Sequence, residues 1–261
     1  MSRNPRGRHL DALPRRILNG AGEKIFDALP PRVLENLRKP ASENALLWNL
    51  IYPLARPFLQ LTDLLALRPL WGASFAAADA LEPYFWGFNL EGQPLNGLAE
   101  SVRVLGGRAQ KTEVDLFLVG ADHIVLVEAK HLSALGRCGR YARRSCPEIH
   151  REENDRPDTC RYWEVAEARF DASLEFGPRP APGDEHPPCS IHYQLGRTLL
   201  LALNLGRRLG LTPHLWLITP ASRWRQYEPA WLDFADRVRD PEMWRRLRVL
   251  AWESVRALAD R

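Results

Sequence analysis

The chain has 261 residues, of which 45% are hydrophobic, 26% charged and 9% aromatic. This ordinary globular composition excludes a disordered polymer, a collagen-like fibre and a disulfide-dense miniprotein. Thirty-six basic residues against 32 acidic ones leave a net charge of +4, too small to announce a nucleic-acid partner by itself. The length suits one large domain, or one domain with an insertion, and leaves room for a full core. No apolar run approaches the ~18–20 residues a membrane helix needs. Arg3, Arg6, Arg8, Arg15 and Arg16 interrupt the N-terminal stretch, so it has no signal-peptide core. A soluble, cytoplasmic protein with no membrane partner is expected. Arg supplies 32 of the basic residues, and the four lysines are Lys24, Lys39, Lys111 and Lys130. A GC-rich genome explains that bias, and it makes a lysine at a meaningful position informative.

Residues 1–40 are basic, with nine Lys/Arg against four Asp/Glu, and are punctuated by Pro14, Pro30 and Pro31. Two short amphipathic helices are expected there, as a mobile arm or packed on the core. Ser42 is a good N-cap for a helix from 43 to about 52. Its apolar positions Ala45, Leu46, Leu47, Leu50 and Ile51 form a broad buried stripe, and Pro53 and Pro57 allow a kink or a new start. Residues 58–88, rich in Leu, Ala and aromatics, read as interior helices, and 87–97 as a loop. Residues 101–105 and 112–119 read as strands, followed by a tight turn at Gly120, Ala121 and Asp122. The β-branched and aliphatic run 123–128 suggests a strand in a sheet interior.

Residues 131–190 are rich in Arg, Glu, Asp and Pro. Pro178, Pro180, Pro182, Pro187 and Pro188 predict a loop before Cys189. From Ser190 a long helix runs to about Gly210, with Leu195, Leu199, Leu200, Leu203 and Leu209 on its apolar face. A buried strand at 214–219, a helix at about 229–238, a strand at 248–252 and a short terminal helix complete the chain. This order predicts an α/β fold with a mixed central sheet flanked by helices.

The most informative stretch places Asp115 inside an otherwise apolar strand and ends the next strand with Glu128-Ala129-Lys130. Residues two apart on a strand share a face, so Glu128 and Lys130 point the same way. A hairpin turning near 120–122 can bring Asp115 beside them. A buried carboxylate is costly unless paired or metal-bound, and two side by side repel. A hard divalent cation such as Mg²⁺ resolves that conflict. A lysine beside it can orient a water or stabilise charge on an attacked phosphate.

This constellation resembles the PD-(D/E)XK, or restriction-endonuclease-like, nuclease superfamily, whose signature is an Asp near the start of one strand and Glu-x-Lys on the next. The leading Pro of the family name is replaced here by Val114. The resemblance implies a restriction-endonuclease-like mixed sheet in residues 41–261, a basic helical N-terminal extension in 1–40, and a Cys/Arg-rich insertion at about 135–189. It implies a Mg²⁺- or Mn²⁺-dependent nuclease hydrolysing DNA phosphodiesters. Asp115, Glu128 and the Ala129 carbonyl would bind the metal, Lys130 would position the attacking water, and Glu43 would complete the acidic site, ahead of Glu82, Glu91 and Glu100. On the helix after the meander, Gln194 and Arg197 share a face. There Gln194 would hold the catalytic water or Lys130, and Arg197 a DNA phosphate. The alternative is a non-catalytic DNA-binding or scaffolding module of the same fold. A homodimer stays open.

Within the insertion, Arg137, Arg140, Arg143 and Arg144 occur without an acidic residue between His131 and Cys146, well placed to contact phosphates, and Tyr141 among them could stack on a base. Acidic residues return directly afterwards, so a solvated charge run is the plain alternative. Cys138, Cys146, Cys160 and Cys189 lack a C-x-x-C knuckle, yet all fall in this segment. Structural Zn²⁺ on the four cysteines, or on some of them with His150, His186 or His192, would explain how it holds a shape. An iron–sulfur cluster and plain reduced thiols are the other readings.

Overall fold

A computed structural model describes residues 16–39, 41–56, 60–76, 80–106, 114–150, 159–165 and 169–260. Residues 1–15 of the basic extension, Pro57, Lys111 and the first two residues of the strand expected at 112–119 lie outside them.

The described residues form one six-stranded mixed sheet: β1 (Trp71–Gly72), β2 (Glu82–Phe85), β3 (Leu116–Val119), β4 (His123–Ala129), β5 (Thr212–Thr219) and β6 (Leu247–Ala251), in the order β1-β6-β5-β4-β3-β2. The β2–β3–β4 meander is antiparallel. β5 and β6 then run parallel to β4, and β1 closes the far edge antiparallel to β6. Both faces are covered. Strand residues therefore alternate between two apolar layers, as the period of two along a strand requires.

One face carries Leu116, Leu118, Val125, Val127, Trp216, Ile218 and Leu250 against helix α1 (Glu43–Ala55) and the terminal helix α5 (Trp252–Ala259). The other carries Phe117, Ile124, Leu126, Leu215, Leu217 and Val249 against α2 (Leu98–Val104), α3 (Tyr193–Leu209) and α4 (Trp224–Asp236). Ile25, Phe26, Leu29 and Leu37, from the short helices Ile25–Ala28 and Pro31–Leu37, pack into the α1 layer. That part of the basic stretch thus belongs to the core.

Local signals explain the long elements. Ser42 caps α1, its hydroxyl accepting the Ala45 N–H at 3.0 Å. Gly210 ends α3 in the left-handed region at φ +70°, where a glycine is unstrained.

Three expectations are corrected. Residues 101–105 are the end of helix α2, with Leu98, Ser101, Val102 and Leu105 buried at helical spacing; a β-branched run concealed that period. Residues 58–88 contain the strands β1 and β2 besides the four-residue helix Asp63–Ala66, because short aromatic runs suit edge strands as well as helices. The helix expected at 229–238 begins at Trp224 and carries Pro229 within it.

Candidate active site at the ends of the central strands

β3 starts and β4 ends at the same edge of the hairpin, where the long apolar ladder opens into a cleft of about 1010 Å³. Asp115, Lys130, Glu43 and Gln194 line this cleft, together with Arg137, Arg140 and Arg143. The sheet and its two flanking layers thus bring to Glu43 the side chains of Asp115, Lys130 and Gln194, which lie 72 to 151 positions further along the chain.

Asp115 sits one residue before β3. Val127 pairs with Leu116 in the ladder and also accepts the Asp115 N–H at 3.3 Å, so two residues of one strand face one of its neighbour. Such a bulge re-aims a side chain. The Asp115 carboxylate then takes a ladder position itself, its Oδ2 accepting the Ala129 N–H at 2.9 Å. Next to it, Trp86 donates its N–H to the Asp115 carbonyl at 3.0 Å while holding φ +51°, a costly conformation for a bulky residue. Burial pushes the Asp115 carboxyl up to about 6, the Lys130 charge and the Ala129 amide pull it back, and the Glu43 charge adds to the rise.

Glu128 points to the α3 side and is fully buried. Gln194 Nε2 donates to its Oε2 at 2.5 Å, and Thr198 Oγ1 donates to its Oε1 at 2.6 Å. The orientation of the Gln194 amide is fixed, since its Oε1 accepts the Gly136 N–H at 2.7 Å and only the nitrogen is left to face Glu128.

Lys130 is 8% exposed and its backbone is held from several elements. Its N–H donates to the Ile218 carbonyl at 2.8 Å, and its carbonyl accepts the Trp252 indole N–H at 2.8 Å. The loop that follows is pinned as well. Arg223 Nη1 donates to the His131 carbonyl at 2.7 Å, and the Tyr227 hydroxyl donates to the Ser133 carbonyl at 2.6 Å.

Glu43 supplies the remaining anchor. Its Oε1 accepts the N–H groups of His131, Leu132 and Ser133 at 2.6, 2.9 and 3.0 Å, and the Ser133 hydroxyl bonds both carboxylate oxygens. Burial alone would raise its pKa, but these amides hold the carboxyl below the ordinary range. Glu43, expected as a metal ligand, holds the loop behind Lys130 in this structure. The other acidic candidates are engaged away from the cleft: Glu82 with Tyr84 and Asn89, Glu91 with Lys24 and Arg56, and Glu100 with Arg103 and Arg208.

Gln194, expected to hold the catalytic water or Lys130, donates to Glu128. Arg197, expected to hold a DNA phosphate, is 8% exposed and hydrogen-bonds the buried Tyr162 hydroxyl, because its turn of α3 faces the insertion and not open solvent. Arg137, Arg140, Arg143 and Arg144 are exposed, and the first three border the cleft. All four cysteines line it too, with free thiols. Among the described residues, no three His, Cys, Asp or Glu side chains are drawn tightly enough together to hold an ion as placed.

Sequence reasoning missed Thr198. It lies one helical turn after Gln194 on α3, so the i, i+4 rule that paired Gln194 with a neighbour could have found it. No described helix is long and apolar enough to cross a membrane.

None of the curated proteins and none of the solved structures compared with the chain matches it. One family does, over residues 37–260, a span that runs from just before α1 to the end of α5 and holds Glu43, Asp115, Lys130 and Gln194 of the cleft. With its mixed sheet and its match over that span, the chain belongs to the family described as Restriction Endonuclease associating with ARP.

Proposed function

We propose that the chain is a divalent-metal-dependent nuclease of the PD-(D/E)XK type that hydrolyses DNA phosphodiesters in the cleft above β3 and β4. The observation that carries this reading is that Asp115, just before β3, and Lys130, just after β4, line one cleft, with Glu128 near the end of β4. A membership that links the chain to restriction endonucleases supports it.

The donor set suits a hard cation. A carboxyl pushed up to about 6 by burial gains from a neighbouring positive charge, and Glu128 adds a second carboxylate, which accepts from the neutral donors Gln194 and Thr198. Asp115, Glu128 and the Ala129 carbonyl would hold Mg²⁺ or Mn²⁺. When bound, the cation neutralises charge on the scissile phosphate and acidifies a nearby water. The chain's own residues do the rest. Lys130, fixed through Ile218 and Trp252, offers its ammonium to the water or to a phosphoryl oxygen. Gln194 and Thr198 keep Glu128 in one rotamer, so the carboxylate needs no reorganisation. Glu43 fixes the loop from which Lys130 projects. Arg137, Arg140, Arg143 and Arg144 hold the DNA backbone, and Tyr141 offers a ring for a base.

The test is plasmid cleavage with Mg²⁺ or Mn²⁺ by wild type, Asp115→Ala and Lys130→Ala. Cleavage by the wild type alone supports the proposal, and equal activity in all three sinks it. One observation favours a second reading, a non-catalytic DNA-binding module: both Glu128 oxygens already have protein donors. DNA binding without any binding of Mg²⁺ or Mn²⁺ in calorimetry would select that reading.

A further inference from the structure

The segment between β4 and α3 has little regular structure of its own. Among its described residues are the four-residue helices Gly139–Ala142 and Phe170–Ser173 and a three-residue turn, Arg161–Trp163. An ion network, Arg179 with Glu148 at 2.6 Å and Glu164 at 2.9 Å, ties part of it together. All four cysteines of the chain lie there, on four separate stretches.

These stretches converge. Cys138 donates its N–H to the Ser190 carbonyl at 2.9 Å, which sets it beside Cys189. Glu148, two residues past Cys146, accepts the Cys160 N–H at 2.7 Å, which brings those two stretches together. The Cys160 thiol lies within the electrostatic reach of Cys146 and Cys138, and the Cys189 thiol within that of the other three. Two N–H groups are aimed at sulfur: the Tyr162 amide at Cys160 and the Trp163 indole at Cys189. Donors of this kind complement a thiolate.

We propose that Cys138, Cys146, Cys160 and Cys189 form a tetrathiolate site for one structural zinc ion that holds the insertion in shape. Soft sulfur donors in a closed four-coordinate set select zinc over the hard cations, and they leave no open position for catalysis. The sulfurs as placed stand apart, and a change of χ1 between staggered wells moves each one without altering the backbone. Binding releases the four thiol protons to solvent and leaves four zinc–sulfur bonds. This site is separate from the nuclease proposal, and its test does not read cleavage.

The full-length protein, purified under reducing conditions without added metal, is analysed for metal by mass spectrometry. Its thiols are counted with a chromogenic disulfide reagent before and after chelation. The expected result is about one zinc per chain, four thiols that react only after the metal is removed, and a tetrahedral thiolate spectrum when Co²⁺ replaces zinc. Cys160→Ser should lower the zinc content by more than half. Metal-free protein with four freely reactive thiols overturns the proposal, as do two disulfides, or iron with acid-labile sulfide. Because the measurement on the wild type stands alone, a variant that fails to fold does not blunt the test.

Discussion

Replacing Glu43 tests whether the loop behind Lys130 is held as the structure describes. Glu43→Ala removes an acceptor that takes three loop amides and the Ser133 hydroxyl. Hydrogen bonds to a charged group contribute ~1.5–3 kcal/mol each when the freed partner stays buried. Leu132 and Ser133 are exposed, so their amides regain water and the cost falls towards the low end for the whole set. Glu43 also stands in the first turn of α1, where a negative charge contributes ~0.3–1 kcal/mol. The sum is about 2–4 kcal/mol. For a chain of this size each kcal/mol moves Tm by ~2–4 °C, so the midpoint should fall by roughly 5–15 °C. Hydrogen exchange should quicken at the amides of 131–133 and stay unchanged in β5. Glu43→Gln, which keeps an acceptor but loses the charge, should show about half the effect. Unfolding within ~0.5 kcal/mol of wild type, the range of an ordinary surface change, with unaltered exchange at 131–133 would refute the clamp.

Thr198→Val leaves the Glu128 Oε1 without its hydroxyl donor in a buried site and should cost ~1–3 kcal/mol in denaturant unfolding, whereas the neighbouring Thr198→Ser should cost much less. His214 is 5% exposed and burial lowers its pKa from 6.5 to about 3, so the unfolded chain takes up a proton that the folded chain refuses. Stability is therefore complete above the ordinary histidine value and falls as the medium becomes more acid, by ~2 kcal/mol at about pH 5. His214→Leu should flatten that part of the pH profile, and an unchanged profile would contradict it. Asp115 has the opposite sign. Its raised carboxyl favours the fold while protonated, so metal-free protein should lose stability as pH rises from about 4 through about 6. Mg²⁺ should suppress that loss, and Asp115→Asn should abolish it. Ser42→Ala should cost ~1 kcal/mol through the lost cap of α1.

The parts of the fold that were legible in the sequence have strong, long-range pattern. The apolar run of β4, the tight turn before it and the amphipathic length of α3 leave one reading each. The acidic hairpin was legible for the same reason, because Asp115 and Glu128 interrupt runs that are otherwise apolar. What escaped depends on tertiary contacts. The Asp115 bulge is invisible to a period-two pattern, since it arises where Trp86 and Ala129 meet the strand. The hold of Glu43 on the loop is hidden in the sequence because its three amide partners lie 88 to 90 residues away. Arg197 has the composition of a phosphate contact and the burial of a core residue, and only the packing of the insertion against α3 separates the two. Helix α2 is concealed in the sequence because Val102 and Val104 favour strands in isolation, whereas its buried positions follow a helical period.

The central claim is that Asp115 and Glu128 hold a divalent cation while Lys130 acts on the phosphate beside it. Mn²⁺ binding and DNA cleavage measured side by side in wild type, Asp115→Asn and Lys130→Met test it most directly. Mn²⁺ should bind wild type and Lys130→Met and be lost in Asp115→Asn, and cleavage should be confined to the wild type. Cleavage by Lys130→Met at the wild-type rate, or undiminished Mn²⁺ binding by Asp115→Asn, would contradict it.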